Sequence, residues 1–218
     1  MKVATDSCIL GAWIADRIGN SKNVLDIGTG TGLQMLMLAQ KNKIKIDGIE
    51  LDPEAWQQAK ENLEGSSWKD QFEIYCGDAR AYSFTKKYDF IICNPPFYDG
   101  DLVSASEKEN QARHSAMLNF EELMEIIDKS LETQGSFGLL LPYHRASYLL
   151  QCCAAMQFWP AERLDIRQTP KHGFFRSIIR FSKTKPQDVN YSELTILDDA
   201  GKYTDDFVGL LKDYYLWL

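Results

Sequence analysis

Nine residues, Val24 to Gly32 (V-L-D-I-G-T-G-T-G), join an apolar run to a glycine repeat, and a helical stretch from Thr31 to about Gln40 follows at once. A buried strand, a tight glycine turn and a helix in that order are the opening of an α/β unit. Gly28, Gly30 and Gly32 allow the backbone to turn sharply and approach a ligand closely. The repeat is not the G-x-G-x-x-G of dinucleotide binders, because Leu33 stands where the third glycine belongs, and no phosphate-binding G-x-x-x-x-G-K-[ST] is present.

The alternation continues along the chain. Residues 44–51, 72–78, 88–97 and 136–142 read as further strands. Asp52-Pro53 opens a helix between the first two of these, with proline in its first turn. F-E-E-L-M-E-I-I-D-K-S-L has helical spacing, and a helix over residues 143–156 leads to two alternating segments separated by residues 169–173, an antiparallel hairpin. This predicts one domain over residues 1–218, an α/β fold with a seven-stranded, mostly parallel sheet, a C-terminal antiparallel hairpin and helices on both faces. The opening M-K-V-A-T-D-S-C-I-L-G-A-W reads as an amphipathic helix, residues 203–218 as a C-terminal helix, and residues 98–110 as a mobile lid or substrate loop.

Composition narrows the classes. Five cysteines without C-x-x-C spacing fit free thiols in a reducing compartment, and no apolar run approaches the ~20 residues of a membrane span, so a cytoplasmic location is expected. His114, His144 and His172 are too scattered for a metal site. The net charge of −7 argues against indiscriminate nucleic-acid binding. Between Arg163 and Lys185, however, seven basic residues face Asp165 alone, which reads either as a strip for an anionic partner or as outward-facing charges on two strands. Nothing implies a stable protein partner.

Three features carry chemistry. Glu50 ends the second strand, 18 residues beyond Gly32, where a carboxylate accepts bonds from both hydroxyls of a ribose. Asp78, after the third strand, is placed either to accept from an adenine amino group or to shape a turn. Asn94-Pro95-Pro96-Phe97 follows the fourth strand, and its prolines remove two donors and leave carbonyls free to face a ligand. The glycine loop with the strand-end acid points to a nucleoside-containing cofactor, and Asn94 at the carboxyl edge of the sheet sits where such folds bind ligands.

With D-I-G-T-G-T-G, Glu50, G-D-A and N-P-P-F in this order, the chain resembles the class I S-adenosylmethionine-dependent methyltransferases that modify planar nitrogens. With K-V-A-T-D-S-C-I-L-G-A-W, Q-A-R-H-S and a tyrosine-rich end, it further resembles the bacterial tRNA adenine-N6-methyltransferases acting on position 37 of valine tRNA. That resemblance implies a Rossmann-like fold, S-adenosyl-L-methionine as cofactor and tRNA as partner. It implies that Asp26 and the glycine loop face the methionine part of the cofactor, Glu50 the ribose and Asp78 the adenine, with Thr5 and Asp6 in the same pocket. Asn94, Pro95, Pro96 and Phe97 would hold the base, and Arg113, His114, Lys171 and Arg176 would meet tRNA. It also implies that a short basic and aromatic segment is missing before Lys2. Because N-P-P-F also suits guanine-N2 of ribosomal RNA and glutamine-N5 of protein, those acceptors stand as alternatives.

Overall fold

The computed structural model describes residues 4–95 and 118–218. In chain order the elements are α1 (Thr5–Ala15), β1 (Asn23–Ile27), α2 (Leu33–Lys41), β2 (Lys45–Glu50), α3 (Pro53–Glu64), β3 (Phe72–Cys76), β4 (Tyr88–Cys93), α4 (Phe120–Ser130), β5 (Leu131–Pro142), α5 (Ala146–Ala155), β6 (Trp159–Arg167), β7 (Phe174–Ser182), β8 (Asn190–Thr195) and α6 (Asp205–Leu211). The strands form one sheet in the order β3-β2-β1-β4-β5-β7-β6-β8. Strand β7 is antiparallel to both its neighbours, and the other pairings in the sheet are parallel. This is the expected α/β fold with its hairpin.

The near-continuous apolar runs of β1 and β4 follow from a sheet covered on both faces. Successive residues point to opposite sides: Val24, Phe90 and Ile92 enter one core with α1 and α2, while Leu25, Ile27 and Ile91 enter the other with α4. From β1 the chain runs outward to β3 and then returns to lay β4 on the other side of β1. That reversal opens a crevice at the carboxyl ends of β1 and β4, the place where such sheets bind ligands.

The structure corrects four expectations. The sheet has eight strands, because β8 extends the edge by pairing with β6. Its residues Asn190 to Glu193 are exposed and only Leu194 is buried, so no apolar alternation announces it. Strand β5 begins at Leu131 rather than at residue 136. Helix α1 is not amphipathic: every residue from Cys8 to Ala15 is buried, since α1 packs against α2, β5 and α6 together. The C-terminal helix spans only Asp205–Leu211, and Tyr214 and Tyr215 then turn back to hydrogen-bond the Leu211 carbonyl and pack on the core. Among the described residues, no helix is long and apolar enough to cross a membrane.

Candidate active site

A cleft of about 1120 Å³ lies at the carboxyl edge of the sheet. It is lined by the glycine loop after β1, by Glu50 at the end of β2 with Asp52 beyond it, by Gly77 and Asp78 after β3, and by Cys93 at the end of β4 with Asn94 and Pro95 beyond it.

Backbone bonding shapes the first side. Gly28 and Thr29 donate their N–H groups to the Ile49 carbonyl at 2.9 and 3.1 Å, pinning the loop onto β2. Gly28, Gly30 and Gly32 all have positive φ, a region that side chains with a Cβ rarely enter. Gly48 matters as well: a Cβ there would lie 2.5 Å from Thr29 Oγ1 and 2.7 Å from Met35 Sδ, so only glycine lets the loop rest on the strand. Glu50 is held from two sides. Its Oε2 accepts from Gly30 N at 2.7 Å and its Oε1 from Asp52 N at 2.9 Å, leaving further lone pairs toward the cleft. Asp52 in turn caps α3, accepting from Glu54 and Ala55, with Pro53 at the first helical position.

Asp26 is 1% exposed, and neither of its carboxylate oxygens meets a hydrogen-bond donor among the described residues. Burial, reinforced by the nearby Glu50 charge, pushes its pKa up to about 8. Expected to face the cofactor, it is not among the residues that line the cleft. A buried acid without a donor at a glycine loop fits a positively charged group arriving from the cleft, such as an ammonium. Asp78 lines the cleft as expected, and its carboxylate is held below the usual range chiefly by hydrogen bonds from Arg80, the shortest 2.6 Å. Arg80 also reaches Glu122 of α4 at 3.5 Å.

The second side is assembled from distant side chains. Asn94 Nδ2 donates to Ser7 Oγ at 2.8 Å, 87 residues away in sequence. Ala4 and Ser7, three apart on one face of the first turn of α1, line the cleft. Thr5 and Asp6, expected there, do not line it. Thr5 hydrogen-bonds with Tyr215, while Asp6 Oδ2 accepts from Arg176 Nε of β7 at 3.1 Å. Arg176, expected to meet RNA, thus clamps α1 to the sheet.

The basic strip resolves into pairs. Arg163 meets Asp165, Arg167 meets Glu193, Lys171 meets Asp199, Arg180 meets Glu162 and Lys183 meets Asp128, all within 4 Å. Acidic residues supplied by β6, β8, α4 and loops neutralise what looks unbalanced in one stretch of sequence. Pro96, Phe97, Arg113, His114 and the loop of residues 98–110 lie outside the described residues. Ser7, Gly48 and Leu118, which also lines the cleft, carry no local motif, although the resemblance of the opening segment includes Ser7. Among the described residues no group of three His, Cys, Asp or Glu is placed to hold a metal ion.

Comparison with known proteins agrees with this geometry. The model of the methyltransferase small domain family matches residues 5–119. A tRNA1(Val) (adenine(37)-N6)-methyltransferase of Flavobacterium psychrophilum is 37% identical over 221 residues, covering 99% of this chain and 93% of the relative. One from Dyadobacter fermentans is 37% identical over 220 residues, covering 99% and 91%. Among solved structures, a predicted O-methyltransferase from Agrobacterium tumefaciens superposes with a TM-score of 0.71 at 16% identity, covering 94% of this chain and 95% of that one, a likeness of fold. With relatives of that name 37% identical over nearly its whole length and a cleft at the switch point of its sheet, the chain belongs to the tRNA1(Val) (adenine(37)-N6)-methyltransferase family.

Proposed function

We propose that this protein transfers a methyl group from S-adenosylmethionine to the exocyclic N6 of an adenine in tRNA, at position 37 of valine tRNA, in the cytoplasm. The observation that carries the reading is the amide of Asn94, standing at the end of β4 beside Pro95 and facing the same cleft as Glu50.

The cofactor, when bound, supplies a methyl group activated on a sulfonium sulfur. Glu50 suits its ribose, Asp26 and the glycine loop its methionine end, and Asp78, through lone pairs not used by Arg80, its adenine. The residues described above fit each part. An adenine amino group is a poor nucleophile because its lone pair is delocalised into the ring. If Asn94 Oδ1 and the Pro95 carbonyl accept its two N–H groups, the nitrogen pyramidalises and its lone pair turns toward the methyl carbon. Asn94 and Pro95 would thus hold and orient the attacking nitrogen, and one of its N–H protons would pass to water as the methyl group is accepted. Phe97 would stack on the extruded base, a contact worth ~1–3 kcal/mol by analogy with single-stranded recognition. Arg113 and His114 meet phosphate, and so does Lys171, whose side chain is 78% exposed and whose ion pair with Asp199 gives way readily.

The test is transfer from labelled S-adenosylmethionine to unmodified tRNA, followed by digestion to nucleosides and mass spectrometry. N6-methyladenosine is the expected product. N2-methylguanosine, or methylation of a glutamine-bearing protein in place of RNA, would replace this reading.

A further inference from the structure

We infer that Ser7 is a positioning residue for methyl transfer: its hydroxyl accepts a hydrogen bond from the Asn94 side-chain nitrogen and so tethers that amide in the orientation that leaves its oxygen to the substrate. This rests on the role proposed above for Asn94. An asparagine amide is nearly symmetric in shape but opposite in chemistry at its two ends, an acceptor oxygen and a two-donor nitrogen. Its terminal torsion is broad and roughly two-fold, so an untethered side chain samples both orientations. The acceptor nitrogen of an adenine brings two N–H donors. Only an amide with Oδ1 outward receives one of them, and the flipped amide would set donor against donor.

The contact at 2.8 Å between Asn94 Nδ2 and Ser7 Oγ occupies the wrong end of the amide and leaves the right end for the cleft. The Ser7 backbone is itself held at both its N–H and its carbonyl. Its N–H donates to Asp6 Oδ1 at 2.9 Å, its carbonyl accepts from Gln34 Nε2 of α2 at 2.9 Å, and Asp6 is tied to Arg176 of β7. Behind it runs the wholly buried body of α1, whose Gly11 lies so close to α2 that a Cβ would come 2.6 Å from Met37 Sδ. The hydroxyl is therefore presented from a rigid rod, and the clamp of Asp6 on Arg176 supports the Asn94 amide at one remove.

The experiment compares the full chain with Ser7→Ala and Ser7→Thr. Formation of N6-methyladenosine in unmodified tRNA, the KM for S-adenosylmethionine and the melting temperature are followed. Ser7→Ala is expected to lower kcat by roughly ten-fold with KM and melting temperature little changed, and Ser7→Thr to recover most of the loss. A wild-type rate in Ser7→Ala would overturn the inference. So would equal losses in both variants accompanied by lower melting temperatures, the mark of packing alone. A second readout needs no turnover: the Asn94 side-chain NH2 resonances, assigned by their disappearance in Asn94→Ala, should exchange with water more slowly in wild type than in Ser7→Ala. Equal exchange would overturn the inference too. If exchange differs but the wild type methylates no adenine, the clamp stands and the proposed substrate falls.

Discussion

The two sides of the cleft are built differently. On the cofactor side, the glycine loop, Glu50 and Asp52 bond to one another within a stretch of 27 residues, from Asp26 to Asp52, largely through backbone N–H groups. On the acceptor side, Asn94 depends on Ser7, 87 residues away, and Ser7 on an ion pair spanning 170 residues between Asp6 and Arg176. The first side is a local motif that any chain with this strand, loop and helix acquires as it folds. The second exists only once α1, β4 and β7 have come together. A general cofactor site and a specific acceptor site are thus separately supported, and substitutions should separate binding from transfer.

Four substitutions would break or sharpen that division. Asn94→Ala should have the largest effect, lowering kcat about 10²–10³-fold, as loss of one preorganised polar group at a reacting centre does, while calorimetric affinity for S-adenosylmethionine stays near wild type. Glu50→Gln should act in the opposite sense. It exchanges a charged acceptor for a neutral amide at the ribose and at two backbone donors, weakening cofactor binding by about 2–3 kcal/mol, or some 30- to 150-fold in Kd, with kcat at saturation less affected.

The third concerns pH. Because Asp26 has its pKa raised to about 8 in the folded chain, the native state holds a proton that the unfolded state has released above the ordinary aspartate range. Stability of the ligand-free protein from this group is therefore full at acid pH and lost as pH rises through about 8. Asp26→Asn should match wild type in melting temperature below about pH 4 and exceed it by several degrees near pH 9, each kcal/mol being worth roughly 2–4 °C at this length. A constant difference across that range would show that Asp26 does not titrate in this way. The smallest effect is expected from Asp52→Ala, which removes the cap of α3 at a cost of about 1 kcal/mol, a fall of roughly 2–4 °C in a thermal scan.

Legibility in the sequence follows the same line. The strands from β1 to β4, the glycine loop and Glu50 were readable because each is specified by neighbours in the chain: apolar runs for strands buried on both faces, glycines for the turn, an acid at a strand end. The edge strand β8 was not readable, since Asn190 to Glu193 face solvent and no buried alternation marks them. Thr5 and Asp6 were placed one helical face away from the cleft, a matter of about a quarter turn that sequence order does not resolve when α1 is apolar all round. The two readings of the basic strip could not be separated in sequence because charge read along one stretch ignores partners from elsewhere, and Glu193 of β8 and Asp128 of α4 are among those that pair with it. Ser7 has no local signal of its role, because its importance arises from what it touches.

The most direct test of this two-sided account is a double-mutant cycle of Asn94→Ala and Glu50→Gln, measured as kcat/KM for S-adenosylmethionine with saturating unmodified tRNA. Independent sides predict that the two losses multiply, with a coupling energy within about 0.5 kcal/mol of zero. A double variant no worse than either single one, or an Asn94→Ala protein that has lost its cofactor affinity, would show that cofactor and acceptor share one indivisible site and would contradict the account.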